Sequence, residues 1–233
     1  MTTLITLVGE QPVPLLLPML YLEPEQLLLV TTERTRPIAG RLAAMFPNAV
    51  VSQDVPAFDI PRIHSALAEI VEKAETRGEE ILFNLTGGTK PMALAAHQLA
   101  RERGASWIYL QSQGARSLLY RYRPGMLEHT YTVEEIPALL TLDMMLRAHL
   151  GEYGEDVPKH AAEAVVLEAL ADQVDEYKTS VTHGGALEID LVLRCGNQMG
   201  IAEVKTGKKA RSKEGIDQLT TAAEQRYLGT YTR

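Results

Sequence analysis

The chain has 233 residues, with 23 Lys and Arg against 30 Asp and Glu, and 45% of it is apolar. That length supports one large or two modest cored domains, and both residues 1–150 and residues 151–233 are net acidic, which excludes a domain that holds duplex nucleic acid by basic charge alone. A single cysteine, Cys195, excludes an internal disulfide and a multi-cysteine zinc cluster and fits a reducing compartment; its place beside a turn predicts a buried hairpin residue.

The N-terminus is apolar over Leu4–Val8 and Leu15–Leu17, but Glu10, Pro12, Pro14 and Pro18 interrupt it and no basic residue precedes Arg34. It has neither the charged front of a signal peptide nor the length of a membrane span, so a soluble, cytoplasmic protein without membrane association is expected. Short apolar runs predict strands at Thr3–Val8, Gln26–Thr31, Ala49–Gln53, Glu80–Leu85 and Ser106–Gln111. Amphipathic stretches between them predict helices near Val13–Leu22, Arg36–Phe46, Pro61–Arg77 and Lys90–Arg103. Strands separated by helices imply βαβ units, hence an α/β fold with a mostly parallel, doubly wound sheet. Asp59 is placed to cap the helix that opens near Pro61, and Gly104 to end the helix before the fifth strand.

Ser117–Arg123 and Glu128–Val133, joined around Pro124-Gly125, read as a hairpin, and Glu134–Leu150 as a linking helix. The polar stretch Gly151–Pro158 marks the best boundary. The expected organisation is a doubly wound α/β domain over 1–133, a linking helix and linker over 134–156, and a small α/β domain over 157–233. The last comprises a helix around His160–Ala171, a strand near Glu176–Thr182, a hairpin over Leu187–Lys205 and a helix near Gly215–Gln225. It stops at Tyr227–Arg233, where a further core strand would begin, so it reads as minimal or clipped. There is no internal repeat, and the six histidines show no metal-ligand spacing.

In an open parallel sheet, ligands bind beyond the carboxyl ends of the strands, where the strand order reverses. The fourth strand runs there into Asn84-Leu85-Thr86-Gly87-Gly88-Thr89-Lys90-Pro91, and the first into Gly9-Glu10-Gln11-Pro12. Glycines let backbone N–H groups approach a ligand, and a helix start presents unpaired N–H groups. Lys90 in a first helical turn opposes the helix dipole unless an anion lies nearby, which points to phosphate. The loop is neither a Walker A sequence nor a Gly-x-Gly-x-x-Gly fingerprint. A tight strand-to-helix turn capped by Thr89 would explain the same glycines without a ligand.

On Val8–Pro14, Thr31-Thr32-Glu33 and above all Asn84–Met92, the N-terminal half resembles the CARF domain, a Rossmann-like ligand sensor of CRISPR systems. The resemblance implies that two such domains pair into a homodimer and bind a cyclic oligoadenylate, most often cyclic tetra-adenylate. The positions it implicates are Gly9, Glu10, Gln11, Thr31, Thr86, Gly87, Gly88, Thr89 and Lys90.

The C-terminal hairpin carries a second constellation. With Gly196-Asn197 as a two-residue turn, Asp190 lies opposite Glu203 and Glu188 opposite Lys205, all on one face, while Ile189, Leu191, Leu193, Ala202 and Val204 form the apolar face. Opposed carboxylates repel unless neutralised, and a hard divalent cation such as Mg2+ or Mn2+ neutralises them through oxygen ligands. A lysine beside the cation can position a water or offset charge growing on a phosphate, so phosphodiester hydrolysis is the natural reading; a solvated, ion-paired hairpin face is the alternative. A basic run follows (Lys205, Lys208, Lys209, Arg211, Lys213).

The arrangement resembles the core of the PD-(D/E)xK nucleases. That resemblance implies metal binding by Asp190 and Glu203, with Val204 completing the set, and assistance to water by Lys205. It also implicates a helical acid, Glu163 before Glu168, and a polar helix residue near the phosphate, Gln218. Together the halves look like the ancillary nucleases of type III CRISPR systems, whose nucleic acid substrate is DNA, RNA or both. Two other readings stay open: a nucleotide-sensing protein whose nuclease-like domain is incomplete, and a sensor that cuts its own ligand at Thr86–Lys90.

Overall fold

Apolar runs and amphipathic stretches alternate through the first 136 residues, and the chain folds accordingly. The computed structural model describes residues 1–76, 78–123, 131–207, 210, 213–224 and 227–228. It divides into two units, Met1–Ile136 and Pro137–Arg233. The first runs β1 (Thr2–Leu7), α1 (Val13–Leu22), β2 (Gln26–Val30), α2 (Arg36–Ala43), β3 (Ala49–Val51), α3 (Ile60–Thr76), β4 (Glu80–Asn84), α4 (Lys90–Arg103), β5 (Ser106–Gln113), β6 (Arg116–Tyr122) and β7 (Tyr131–Ile136).

Its seven strands stand in the order β3-β2-β1-β4-β5-β6-β7. The first five are parallel, and β1 is hydrogen-bonded on one side to β2 and on the other to β4. Chain order reverses between those two neighbours, so the switch point lies between the ends of β1 and β4. Ile5, Leu7, Ile81 and Phe83 pack with Ile63, Leu67 and Val71 of α3 and Met92, Ala95 and Leu99 of α4. The alternate residues Leu4, Thr6, Leu82 and Asn84 face the other way and are equally buried, as are Val13–Met19 of α1. Both faces of the parallel sheet are therefore covered, and its strands read as near-continuous apolar runs. The fold is the α/β, Rossmann-like one expected.

The helix ends follow local chemistry. Asp59 Oδ1 accepts the Arg62 N–H at 3.1 Å, and Thr89 Oγ1 accepts the Met92 N–H at 3.2 Å. Gly104 ends α4 in the left-handed region at φ 63°. Beyond β5 the chain turns straight back through Gly114 (φ 61°) into antiparallel β6, and β7 pairs antiparallel with β6. The third of these strands occupies Tyr131–Ile136, later than the expected 128–133, so no helix begins at Glu134. The turn expected at Pro124-Gly125 lies outside the described residues.

The second unit contains α5 (Leu142–Leu150), α6 (Ala161–Leu170), β8 (Glu176–His183), β9 (Leu187–Cys195), β10 (Gln198–Ala202) and α7 (Glu214–Ala222), with an antiparallel sheet in the order β10-β9-β8. Thr141 caps α5 by accepting the Met144 N–H at 3.2 Å, and α5 packs on β8 and β9. Gly196-Asn197 forms the turn between β9 and β10, pairing Cys195 with Gln198 and Val192 with Ile201. Asn197 fixes the segment before α5, accepting the Leu139 N–H at 2.9 Å and donating to the Pro137 carbonyl at 2.8 Å. Cys195 is exposed, not buried: it sits on the last rung beside the turn, beyond the apolar packing. The expected Lys208, Lys209 and Arg211 positions and the end of the last helix at Gln225 lie outside the described residues; of the strand start expected at Tyr227–Arg233, Tyr227 and Leu228 form a turn whose N–H groups bond the Glu224 and Ala222 carbonyls, and residues 229–233 lie outside the described residues. Among the described residues no helix is long and apolar enough to cross a membrane.

Candidate functional site

In the first unit, the loops after β1 and β4 meet backbone to backbone at the switch point. A Cβ placed on Gly9 would lie 3.0 Å from the Gly88 nitrogen, and one on Gly87 would overlap the Leu7 carbonyl oxygen and approach Leu15 Cδ2 to 2.7 Å. Gly88 also holds φ 75°. Close packing thus requires these glycines, as the bare-turn alternative supposes. The loop is tethered as well: Asn84 Oδ1 accepts the Thr86 N–H at 3.1 Å, and Thr86 Oγ1 accepts the Leu110 N–H at 2.9 Å. Three buried atoms here, Thr6 Oγ1, Asn84 Nδ2 and Gln11 Oε1, have no hydrogen-bond partner, and Thr6 and Asn84 are register neighbours.

Beside the loops opens a cleft of about 940 Å³. Gly9, Glu10, Gly88 and Thr89 line it, together with Thr32 and Glu33. A further wall is the segment Asp54–Phe58, with Arg34 also in the lining; sequence reasoning missed this wall because the segment has neither periodicity nor motif. Arg34 Nε sits 2.5 Å from Glu10 Oε1. Asp54 receives hydrogen bonds from Arg36 and from Thr31, which hold its carboxyl below the usual carboxylate range, the Arg36 bond foremost. Thr31 is fully buried with its hydroxyl directed to Asp54 at 2.9 Å, and it does not line the cleft. Gln11, Thr86, Gly87 and Lys90 also lie outside the lining; Lys90 is exposed at the first position of α4.

In the second unit the ladder register is the one deduced, but β10 ends at Ala202, one rung before Glu203. Asp190 closes the gap, its Oδ2 accepting the Val204 N–H at 2.8 Å. Asp190, Glu203 and Lys205 are thereby gathered into one cluster. The Lys205 ammonium contacts Glu203 Oε1 and lies 3.9 Å from Asp190 Oδ2. The Glu203 side chain is only 4% exposed. Burial raises its carboxyl above the ordinary range and the neighbouring Asp190 charge adds to this, while the Lys205 hydrogen bond opposes.

On β8, Ser180 stands across from Asp190 with φ 47°, at the one position where the β8–β9 ladder is interrupted. A non-glycine residue in that region is strained, and such strain gathers at functional sites. Gly215 of α7 faces the cluster so closely that a Cβ there would lie 3.3 Å from Lys205 Cγ.

The remaining candidates sit around this group. Glu188 does not pair with Lys205; it is 2.5 Å from Lys159 Nζ. Glu163 is buried at the start of α6, accepting the Lys159 N–H at 2.8 Å, so it is not a solvated helix position. Glu168 is exposed. Gln218 is exposed on α7, one turn beyond Gly215 and so on the same side of the helix. Two carboxylates and the Val204 carbonyl make an oxygen-donor set that suits a hard cation, and the raised Glu203 carboxyl is what a cation would relieve. Among the described residues, however, no group of three His, Cys, Asp or Glu is arranged to hold one.

The structure of Can2 from Sulfobacillus thermosulfidooxidans in complex with cyclic tetra-adenylate aligns over 100% of this chain and 88% of its own, with TM-score 0.75 at 15% identity. Protein VC1899 from Vibrio cholerae aligns over 100% of this chain and 87% of its own, with TM-score 0.75 at 12% identity. A type III CRISPR defence DNA nuclease activated by cyclic oligoadenylate aligns over 99% of this chain but 44% of its own, with TM-score 0.63 at 19% identity. At such identities these likenesses establish the fold. No curated protein matches the sequence. Residues 3–136, more than half the chain and nearly the whole of the first unit, match the Card1 CARF domain, and the chain belongs to that family.

Proposed function

We propose that this protein is a cyclic-oligoadenylate-activated nuclease of CRISPR antiviral defence, acting as a homodimer paired through its CARF unit. The observation that carries the sensing half is the cleft at the switch point of a Card1-type CARF sheet, where Gly9, Glu10, Gly88 and Thr89 converge. Cyclic tetra-adenylate is the favoured ring, in keeping with the ligand held by Can2. The Gly87 backbone and Lys90 at the start of α4, both outside the cleft lining, would meet the ring's phosphates.

The hydrolytic half rests on the Asp190, Glu203 and Lys205 cluster. Asp190, Glu203 and the Val204 carbonyl would hold Mg2+ or Mn2+, which when bound lowers the pKa of water and stabilises phosphate charge. Lys205, held by both carboxylates, orients the attacking water or offsets charge on the phosphate. Asp190 also fixes the end of β10 through the Val204 N–H, and Gln218 is placed to meet the substrate from α7. Glu163 anchors the start of α6 and supports Glu188 through their shared neighbour Lys159. The substrate is DNA, RNA or both.

The experiment is cleavage of single- and double-stranded DNA and RNA by the purified chain with Mn2+, with and without cyclic tetra-adenylate. Ring-dependent cleavage that disappears in Glu203→Ala supports the proposal; no cleavage under any of these conditions refutes it.

A second reading is a sensor whose nuclease-like unit serves only interaction. The observation favouring it is that Lys205 already bridges Asp190 and Glu203, with no third acid in the group among the described residues. Ring binding without any cleavage would select it.

A further inference from the structure

We infer that the 940 Å³ cleft is a subsite for an adenine base, with Phe58 as the surface on which that base stacks, and that the phosphates of the ring lie outside it. This rests on the sensing function proposed above and goes beyond it by saying which part of the ring enters the cleft. Phe58 is 77% exposed, the most exposed large apolar side chain among the described residues, and it lies in the cleft wall. A phenylalanine left in water forgoes the gain that burial would bring, so its exposure calls for a reason.

The segment around Phe58 is fixed from three directions. Val55 N–H donates to the Thr31 carbonyl at 2.8 Å. The Ala57 carbonyl accepts the Thr89 hydroxyl at 2.5 Å, which ties the segment to the cap of α4. Asp59, the next residue, caps α3 through the Arg62 N–H. Phe58 thus stands between two anchored neighbours, which fix its backbone position in the cleft wall.

The charges around the cleft select the kind of group that enters. Of the acids Glu10, Glu33 and Asp54 that line it, Glu10 pairs with Arg34 and Asp54 with Arg36, which leaves one more acid than base. A phosphate would meet more negative than positive charge there. An adenine brings a flat π-face for Phe58 and an exocyclic amine that donates to carboxylates. Phe58 has no polar atom, so it reads the face of a base and leaves its identity to the acids. Lys90, the cation placed for phosphate, does not line the cleft, which sets the two recognitions apart.

The test is calorimetric titration of the full chain with cyclic tetra-adenylate and with cyclic tetra-inosinate, in which a carbonyl replaces the amine. The wild type is expected to bind the adenylate ring, and the inosinate ring at least about tenfold more weakly. Phe58→Ala should lose about tenfold or more in affinity for the adenylate ring, the usual consequence of removing an aromatic that stacks on a base. Phe58→Trp should stay within about threefold of the wild type, and an unchanged melting temperature checks that each variant is folded. If the wild type binds and Phe58→Ala binds equally well, the stacking role is overturned while sensing stands. Equal affinity for the two rings overturns the role of the acids. If the wild type binds neither ring, the sensing function itself fails and this inference with it.

Discussion

Replacing Glu203 by Gln should stabilise the protein at neutral pH while abolishing cleavage, a combination that separates a catalytic carboxylate from a structural one. Two carboxylates, Asp190 and Glu203, share one ammonium, and the Glu203 side chain is 4% exposed. At an effective dielectric near 20, two like charges about 5 Å apart repel by roughly 3 kcal/mol, which the Lys205 contact offsets; the cost of burying the Glu203 carboxylate is what remains, on the order of 1 kcal/mol. The amide keeps the shape and an oxygen acceptor for Lys205, and Lys205 keeps Asp190 as its counter-charge. For a unit the size of Pro137–Arg233, a gain of about 1 kcal/mol raises the melting temperature by about 4–8 °C. Circular-dichroism melts at pH 7, with and without Mn2+, measure it. Mn2+ should raise the wild-type melting temperature and leave the variant's nearly unchanged, because cation binding stabilises only a protein that retains its ligands. A variant that melts lower than the wild type, or that still cleaves, would refute the reasoning, since Glu203 would then be a structural partner of Lys205.

Three further outcomes are expected. Gly87→Ala should destabilise the first unit by about 1–3 kcal/mol, because its methyl group would overlap the Leu7 carbonyl oxygen, whereas Gly40→Ala in α2, with nothing within 4 Å, should stabilise by about 0.5–1 kcal/mol; denaturant melts decide both. Arg34→Ala should alter affinity for cyclic tetra-adenylate by severalfold without a change in melting temperature beyond about 1 °C, since its ion pair with Glu10 is largely solvated and worth little to stability. Tyr153, whose hydroxyl donates to Asp143 at 2.8 Å, has its pKa pushed up to about 12, burial first and Asp143 second. The unfolded chain ionises this tyrosine from about pH 10 and the folded one only near 12, so the unfolded state binds fewer protons in that window and stability falls as pH rises through it. Tyr153→Phe should be less stable than the wild type at pH 8, and the gap should close between pH 10 and 12 in paired urea titrations.

Much of the fold was legible because few topologies satisfy alternating strands and helices. The crossover rule and Asp59, Thr89 and Gly104 at the helix ends settle the parallel strands and their connections. The pairing of Cys195 with Gln198 followed from Gly196-Asn197, since a two-residue turn leaves one register. Where the reading failed, tertiary contacts had decided. Glu188 found Lys159 from a helix start that no hairpin argument contains, and Thr31, at the end of a strand facing the ligand loops, is buried against Asp54. The Asp54–Phe58 wall is invisible in sequence because its conformation is fixed by single hydrogen bonds to Thr31 and Thr89, which leave no periodic mark.

The same distinction bears on why the Asp190 cluster is proposed as a site in place of a charged hairpin face. A solvated face would keep its acids and lysines apart in water, at the ends of regular rungs. Here the ladder stops at Ala202, Asp190 spends an oxygen on the Val204 N–H, and Ser180 across the sheet is held at φ 47°. Those three departures bring one more negative than positive charge into a largely buried position, with the start of α7 against it. Nothing in strand pairing requires them, and the Ser180 backbone and the surplus carboxylate charge cost stability that a plain hairpin would keep. An arrangement that is locally unfavourable in backbone and in charge at the same residues is the expected outcome where a cation and a phosphate supply the missing balance, as natural sequences depart from local consistency mainly at functional sites.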